Sequence, residues 1–167
     1  MTHRPDTGRL TGRSPEAWLL AALEFAAHKH RDQRRKDAQA SPYINHPIAL
    51  AHMLVAEGGV RDTKTLVAAI LHDTVEDTDT TSEEIRARFG KLVAGVVQEV
   101  TDDKALPKAL RKQLQIDHAP HLSKRAALVK LVDKTANLRD MVASPPAGWP
   151  LRRRQEYFDW ALSLIHI

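Results

Sequence analysis

Apolar residues recur along this chain at helical spacing, and nowhere do they alternate with polar ones at the period of two that a half-buried strand requires. The spacing predicts a first helix over about 14–30. Ser14-Pro15-Glu16 supplies a capping hydroxyl, a proline for the first turn and an acid nearby, and Trp18, Leu19, Ala22, Leu23, Phe25 and Ala26 follow. Residues 31–45 break the period, and an irregular stretch of more than ten residues in a compact domain is often functional. A second helix is expected from His46 or Pro47 to about Glu57, closed by Gly58-Gly59. Asp62 caps a third, from Thr63 to about Thr74, apolar at Leu66, Val67, Ala69, Ile70 and Leu71. Beyond the polar break at 77–81, Thr81 and Glu84 form a capping box for a short helix ending at Gly90. Four more follow, over about 91–101, about 107–118, about 123–142 and about 150–165. The pattern predicts an all-α chain of seven or eight helices, with one domain over 14–167 and a loose polar arm over 1–13.

Composition narrows this picture only modestly. At 167 residues, 43% hydrophobic and 28% charged, the chain can bury a core and is not expected to be disordered. It has no cysteine, which removes disulfides and thiolate metal sites. No apolar run reaches the length of a membrane span and the first residues lack a signal-peptide core, so a cytoplasmic address without a membrane partner is expected. The net charge of +4 suits a phosphorylated partner and equally a plain basic surface. Arg152-Arg153-Arg154 is a basic run, but aromatics make up 5% and no nucleic-acid-binding motif accompanies it, so no nucleic-acid partner is expected. Nothing in the chain signals an oligomeric state.

Candidate chemistry changes the picture more. His46, the doublet His72-Asp73, and Asp133 supply two imidazoles and two carboxylates, a metal-ligand set that needs no cysteine. Neighbours on a helix point about 100° apart, so His72 and Asp73 share one metal only near a helix end. Glu76 follows His72 by four residues and Asp77 follows Asp73 by four, so one further helical turn would stack each acid over a ligand. Three acids within five residues repel one another unless a cation compensates. The alternative is a solvated acidic helix end, which opposes the helix dipole. Asp133 lies in the apolar run Leu128-Val129-Lys130-Leu131-Val132, where a carboxylate needs either a basic partner or a metal, and Asn137 stands one turn further on. His46 alone would serve equally as a helix cap. His28, His30, His52, His118 and His121 read as surface or core residues. Mixed imidazole and carboxylate ligation suits manganese, iron or zinc better than magnesium. It leaves positions for water and a phosphate oxygen, with Glu76 and Asp77 placed to orient the water and move protons.

These residues match the ligand pattern of the HD-domain superfamily of metal phosphohydrolases. Finer runs resemble the hydrolase domain of RelA/SpoT enzymes: Gln33-Arg34-Arg35-Lys36-Asp37, Pro42-Tyr43-Ile44-Asn45-His46-Pro47, and Leu71-His72-Asp73-Thr74-Val75-Glu76-Asp77-Thr78. So do Phe89-Gly90, Glu99-Val100-Thr101-Asp102-Asp103-Lys104, and Lys130-Leu131-Val132-Asp133-Lys134 with Asn137-Leu138-Arg139. Gln155-Glu156-Tyr157-Phe158 and the chain length are similar to the stand-alone small alarmone hydrolases. The resemblance implies an all-helical HD fold over 14–167 and bound Mn²⁺, with Zn²⁺ or Fe²⁺ also compatible. It also implies hydrolysis of ppGpp and pppGpp, the stringent-response alarmones, to pyrophosphate and GDP or GTP. It makes His46, His72, Asp73 and Asp133 the metal ligands and Glu76 and Asp77 the catalytic acids. Arg35, Lys36, Tyr43, Asn137, Arg153 and Tyr157 would contact a small-molecule nucleotide. The animal relatives are also associated with removing the 2′-phosphate of NADPH, which stands as the alternative activity. A nucleotide-binding module without catalysis is disfavoured by the presence of both Glu76 and Asp77. Thr135-Ala136 departs from the leucine and bulkier residue usual in the family, and both are expected to face near the site.

Overall fold

The computed structural model describes residues 14–165, so the expected N-terminal arm lies outside the described residues. Eight α-helices and one 3₁₀ turn make up the described chain: α1 (Pro15–Lys29), α2 (Asn45–Ala56), α3 (Thr63–Leu71), α4 (Thr74–Asp77), α5 (Ser82–Val100), α6 (Lys108–His118), the turn Ala119–His121, α7 (Lys124–Ala143) and α8 (Leu151–Ile165). The all-α expectation holds. Ser14 caps α1, Asp62 caps α3, Thr81 caps α5 and Ser123 caps α7, each side chain accepting from a backbone N–H three residues on.

Helix α3 is the axis of the bundle. Every residue from Thr65 to Leu71 is buried, and α1, α2, α5 and α7 all pack against it. A helix apolar all round can only be central. Leu50, Val67, Ile70, Leu71, Ile85, Val93, Val97 and Val129 form the most enclosed part of the core, and Phe25 meets Phe89 edge to face at 5.6 Å. Helices α6 and α8 pack on each other, and α8 packs on α7. No helix among the described residues is long and apolar enough to cross a membrane.

Two backbone breaks position the chemistry. At Gly90 the φ of 85° divides α5, as the two helices expected there require, and a side chain would be strained in that conformation. The other break differs from expectation. The third helix ends at Leu71 rather than near Thr74, because the Thr74 hydroxyl takes the Leu71 carbonyl at 2.7 Å and closes the helix end. His72 and Asp73 form the corner, and the chain resumes as the single turn α4.

Candidate active site

Three helices bring the expected ligands together. His46 lies in the first turn of α2, His72 just past the end of α3, and Asp133 in the middle of α7. All three are buried, at 4%, 4% and 8% exposure. Their ligand atoms lie within 4.8 Å of one another, with His46 Nε2 3.1 Å from Asp133 Oδ1. Nδ1 of His72 donates to the Ala69 carbonyl at 2.9 Å, which leaves Nε2 as the bare nitrogen. That Nε2 faces Asp73 Oδ2 at 2.9 Å and Asp133 Oδ1 at 3.9 Å, yet it makes no aligned hydrogen bond. Asp73, the fourth expected ligand, stands beside these three rather than among the converging atoms: its Oδ2 faces His72 and accepts from the Tyr43 hydroxyl.

The electrostatics of the cluster favour added positive charge. Burial disfavours a charged His72, but Asp73 and Asp133 outweigh it and push the imidazole up to about 9. Burial likewise works against the Asp133 carboxylate, and Lys134, His46 and His72 hold it well below the usual range all the same. The carboxylates therefore favour positive charge at this buried imidazole, which a proton supplies. A divalent ion satisfies the same demand, and its binding displaces that proton. The bare Nε2 of His72, the converging atoms and the absence of thiolates fit a borderline or hard divalent metal.

Asp133 answers both readings of a buried carboxylate at once. Its Oδ2 accepts from the buried Lys134 at 2.9 Å, while Oδ1 faces the histidines and accepts from Asn137 at 2.6 Å. Asn137 spends its other amide atom on Arg35, whose Nη2 donates to Asn137 Oδ1 at 3.1 Å and to Asp140 at 2.7 Å.

Glu76 and Asp77 stand on the turn after the corner, as one more helical turn requires. Glu76 Oε2 accepts from the Asp102 backbone at 3.0 Å. Burial raises the Glu76 carboxyl above its ordinary value; the Asp102 N–H opposes this, and the charges of Asp73, Asp102 and Asp77 add to it. Asp77 is held on both oxygens, by Gln33 Nε2 at 2.9 Å and by the Lys104 ammonium. The cluster and both acids line a hollow of about 170 Å³. Arg35, Tyr43, His46, Asp77 and Asn137 also line an adjoining cleft of about 720 Å³, so the two spaces share a wall. The cleft is large enough for a nucleotide.

The irregular segment before α2 is an ordered loop. Arg34 bridges to Pro42, and Tyr43 N–H donates to the Gln33 carbonyl at 3.1 Å. That closure sets Arg35 and Lys36 along the cleft, with Arg35 5.8 Å from the Tyr43 ring centre. Tyr157 lines the cleft too, but Arg153 does not: it is exposed and stacks on Trp149 at 4.0 Å. Of the family departure, Ala136 faces the cleft, whereas Thr135 turns its hydroxyl to the Leu131 carbonyl and does not line it. Four contributors went unassigned from sequence: Gln33, Lys104, Lys134 and Trp149. Gln33, Lys104 and Lys134 lie inside runs that resemble the family, and that was the only signal they gave.

An α3 corner, two histidines and a helical aspartate in one bundle define the HD-domain class. The chain belongs to the HD-domain family, whose model matches residues 22–159. It is 57% identical over 152 residues to the guanosine-3′,5′-bis(diphosphate) 3′-pyrophosphohydrolase MESH1 of Xenopus tropicalis, covering 91% of this chain and 85% of that protein. The Drosophila melanogaster MESH1 is 49% identical, with 90% and 84% covered. A solved structure of a metazoan orthologue of SpoT that hydrolyses ppGpp superposes with a TM-score of 0.88 at 48% identity, covering 93% of this chain and 87% of the other.

Proposed function

We propose that this protein is a divalent-metal-dependent guanosine-3′,5′-bis(diphosphate) 3′-pyrophosphohydrolase. The observation that carries the reading is the convergence of His46, His72 and Asp133 beside Glu76 and Asp77, in a hollow that shares a wall with a nucleotide-sized cleft. The MESH1 relatives, which cover nearly the same length, carry that activity in their names. His46, His72, Asp73 and Asp133 hold the cation in this reading. Manganese is the ion proposed on the family resemblance, and the mix of imidazole and carboxylate donors suits it as it suits zinc or iron. The cation, when bound, polarises a phosphoryl oxygen and lowers the pKa of a water.

The chain's own residues do the rest. The bond that breaks joins the ribose 3′ oxygen to its phosphorus, and water supplies the new oxygen. Glu76, with its carboxyl raised by burial, is suited to take the proton from that water. Asp77, fixed by Gln33 and Lys104, orients the water or returns a proton to the leaving oxygen. Arg35, braced by Asn137 and Asp140, presents its guanidinium to the base or phosphates from the cleft wall. Lys36 and Tyr157 add to that wall.

The test is turnover of ppGpp, pppGpp and NADPH by the manganese-loaded protein. Pyrophosphate with GDP or GTP is the expected product, with kcat/KM for ppGpp above that for NADPH. Release of phosphate from NADPH alone would assign the same site to the alternative substrate.

A further inference from the structure

His30 and Gln33 belong to neither the ligand set nor the acid pair, yet both are tied to it. Gln33 Nε2 donates to Asp77 Oδ2 at 2.9 Å, and Gln33 Oε1 meets His30 Nδ1 at 2.6 Å. An ionised carboxylate only accepts, so Asp77 forces the amide NH₂ toward itself and leaves Oε1 for His30. His30 must then carry its proton on Nδ1. Its Nε2 is buried with no partner, and the whole residue is 2% exposed. A second proton there would be a buried, unpaired charge, and burial does depress the imidazole below its ordinary value. The backbone fixes Gln33 as firmly as the side chains do. Its N–H donates to the His30 carbonyl at 2.9 Å, and its carbonyl accepts from Tyr43 N–H. The His30 ring also lies 4.7 Å from the Tyr43 ring, whose hydroxyl holds Asp73.

We propose that His30 and Gln33 form a positioning pair: the buried neutral imidazole locks the Gln33 amide in one orientation, and the locked amide aims the Asp77 carboxylate into the hollow. The proposal rests on the hydrolase reading above. It adds a role for two residues outside the ligand set and the acid pair, of which Gln33 also borders the cleft. Lys104 also holds Asp77, but its side chain is half exposed, whereas the Gln33 grip comes from a closed loop braced from the core.

A double-mutant cycle separates this role from a merely structural one. Gln33→Leu is expected to lower kcat on ppGpp by roughly 10- to 100-fold, the usual cost of losing an outer partner, with KM changed less than about threefold. In an Asp77→Asn background the same change should lower kcat less than about threefold further, because the group it acts through is already disabled. His30→Leu should behave like Gln33→Leu, and His30→Asn, which keeps a donor near Nδ1, should recover most of the rate. Equal losses in both backgrounds would overturn the pair. Nitrogen NMR of His30 in the wild-type protein reads the tautomer without turnover. A neutral ring protonated on Nδ1 at pH 7 is expected, and an Nε2–H ring or an imidazolium would overturn the lock. A wild-type protein that turns over no ppGpp would instead sink the hydrolase reading, leaving the tautomer to decide on the pair.

Discussion

His46 Nε2 lies 3.1 Å from Asp133 Oδ1, although 87 residues separate them in the chain. The contact joins α2 to α7 across the end of α3, so a cation held there ties together three elements of the bundle. Elemental analysis is expected to find close to one equivalent of a divalent metal per chain. Chelation should abolish turnover and lower the melting temperature. Asp133→Ala should lose the metal and more besides, because it leaves the buried Lys134 ammonium without its partner. Breaking a buried pair from one side costs about 3–5 kcal/mol, readable by chemical denaturation of the metal-free protein. A chelated protein with full activity would end the metal assignment.

Glu76 and Asp77 separate binding from chemistry. Glu76→Gln and Asp77→Asn are expected to keep the metal and lose roughly two to four orders of magnitude in turnover. Glu76→Gln carries a second expectation, because burial and the neighbouring acids raise its carboxyl. A carboxyl raised on folding contributes stability below its unfolded pKa and loses it as pH rises through the folded value. The amide escapes that loss. The metal-free variant should therefore melt above the metal-free wild type at pH 7, and the two should converge as pH falls below the usual glutamate range. Loss of metal in both acid variants would make these residues ligands or structural acids.

Much of the candidate metal group was legible because two of its pieces interrupt an apolar context: His72-Asp73 ends a buried run and Asp133 sits inside one, whereas His46 stood out only through their company. Helix caps at Ser14, Asp62 and Thr81 were legible for the same local reason, since a cap and its N–H are three residues apart. The supports were not. Gln33 reaches Asp77 over 44 residues and Arg35 reaches Asn137 over 102, and no local pattern encodes such pairings. His30 looks like any core histidine until its partner is in place. Arg153 was named only by a family match, and here it stacks on Trp149, a residue of the cleft wall. The end of α3 moved because one hydroxyl, Thr74, closed the helix sooner than the apolar pattern indicated.

Arg35 tests substrate recognition. It is already paired with Asn137 and Asp140, so the guanidinium meets a nucleotide with little further ordering. Arg35→Ala should raise KM for ppGpp by roughly 10-fold or more, from the loss of hydrogen bonds to a charged group, and lower kcat less. Ala136→Leu narrows the cleft at the family's point of departure and should shift kcat/KM between ppGpp and NADPH. An unchanged KM in Arg35→Ala, with NADPH the better substrate, would favour the alternative activity.

The cap of α3 supplies a prediction on stability and pH. Asp62 accepts from the Thr65 N–H and hydroxyl and from Arg125 Nε at 2.7 Å, so one carboxylate caps the central helix and ties it to α7. Burial would raise the Asp62 carboxyl, but the Arg125 and Thr65 bonds prevail and hold it below its ordinary value. A carboxyl depressed on folding contributes stability that is complete above its unfolded pKa and is lost as pH falls through the folded one. Asp62→Ala should therefore cost about 0.5–2 kcal/mol near pH 7, chiefly as a lost cap, since the arginine pair is largely solvated. The gap from wild type should shrink below about pH 4, where the carboxylate protonates in the unfolded and then the folded chain. Because α3 presents His72 at its other end, metal affinity should fall modestly in the same variant while kcat of the loaded enzyme stays near wild type. Denaturant titrations of both proteins at pH 7 and pH 3.5 check the first point, and a pH-independent gap between them would rule out the carboxylate as its source.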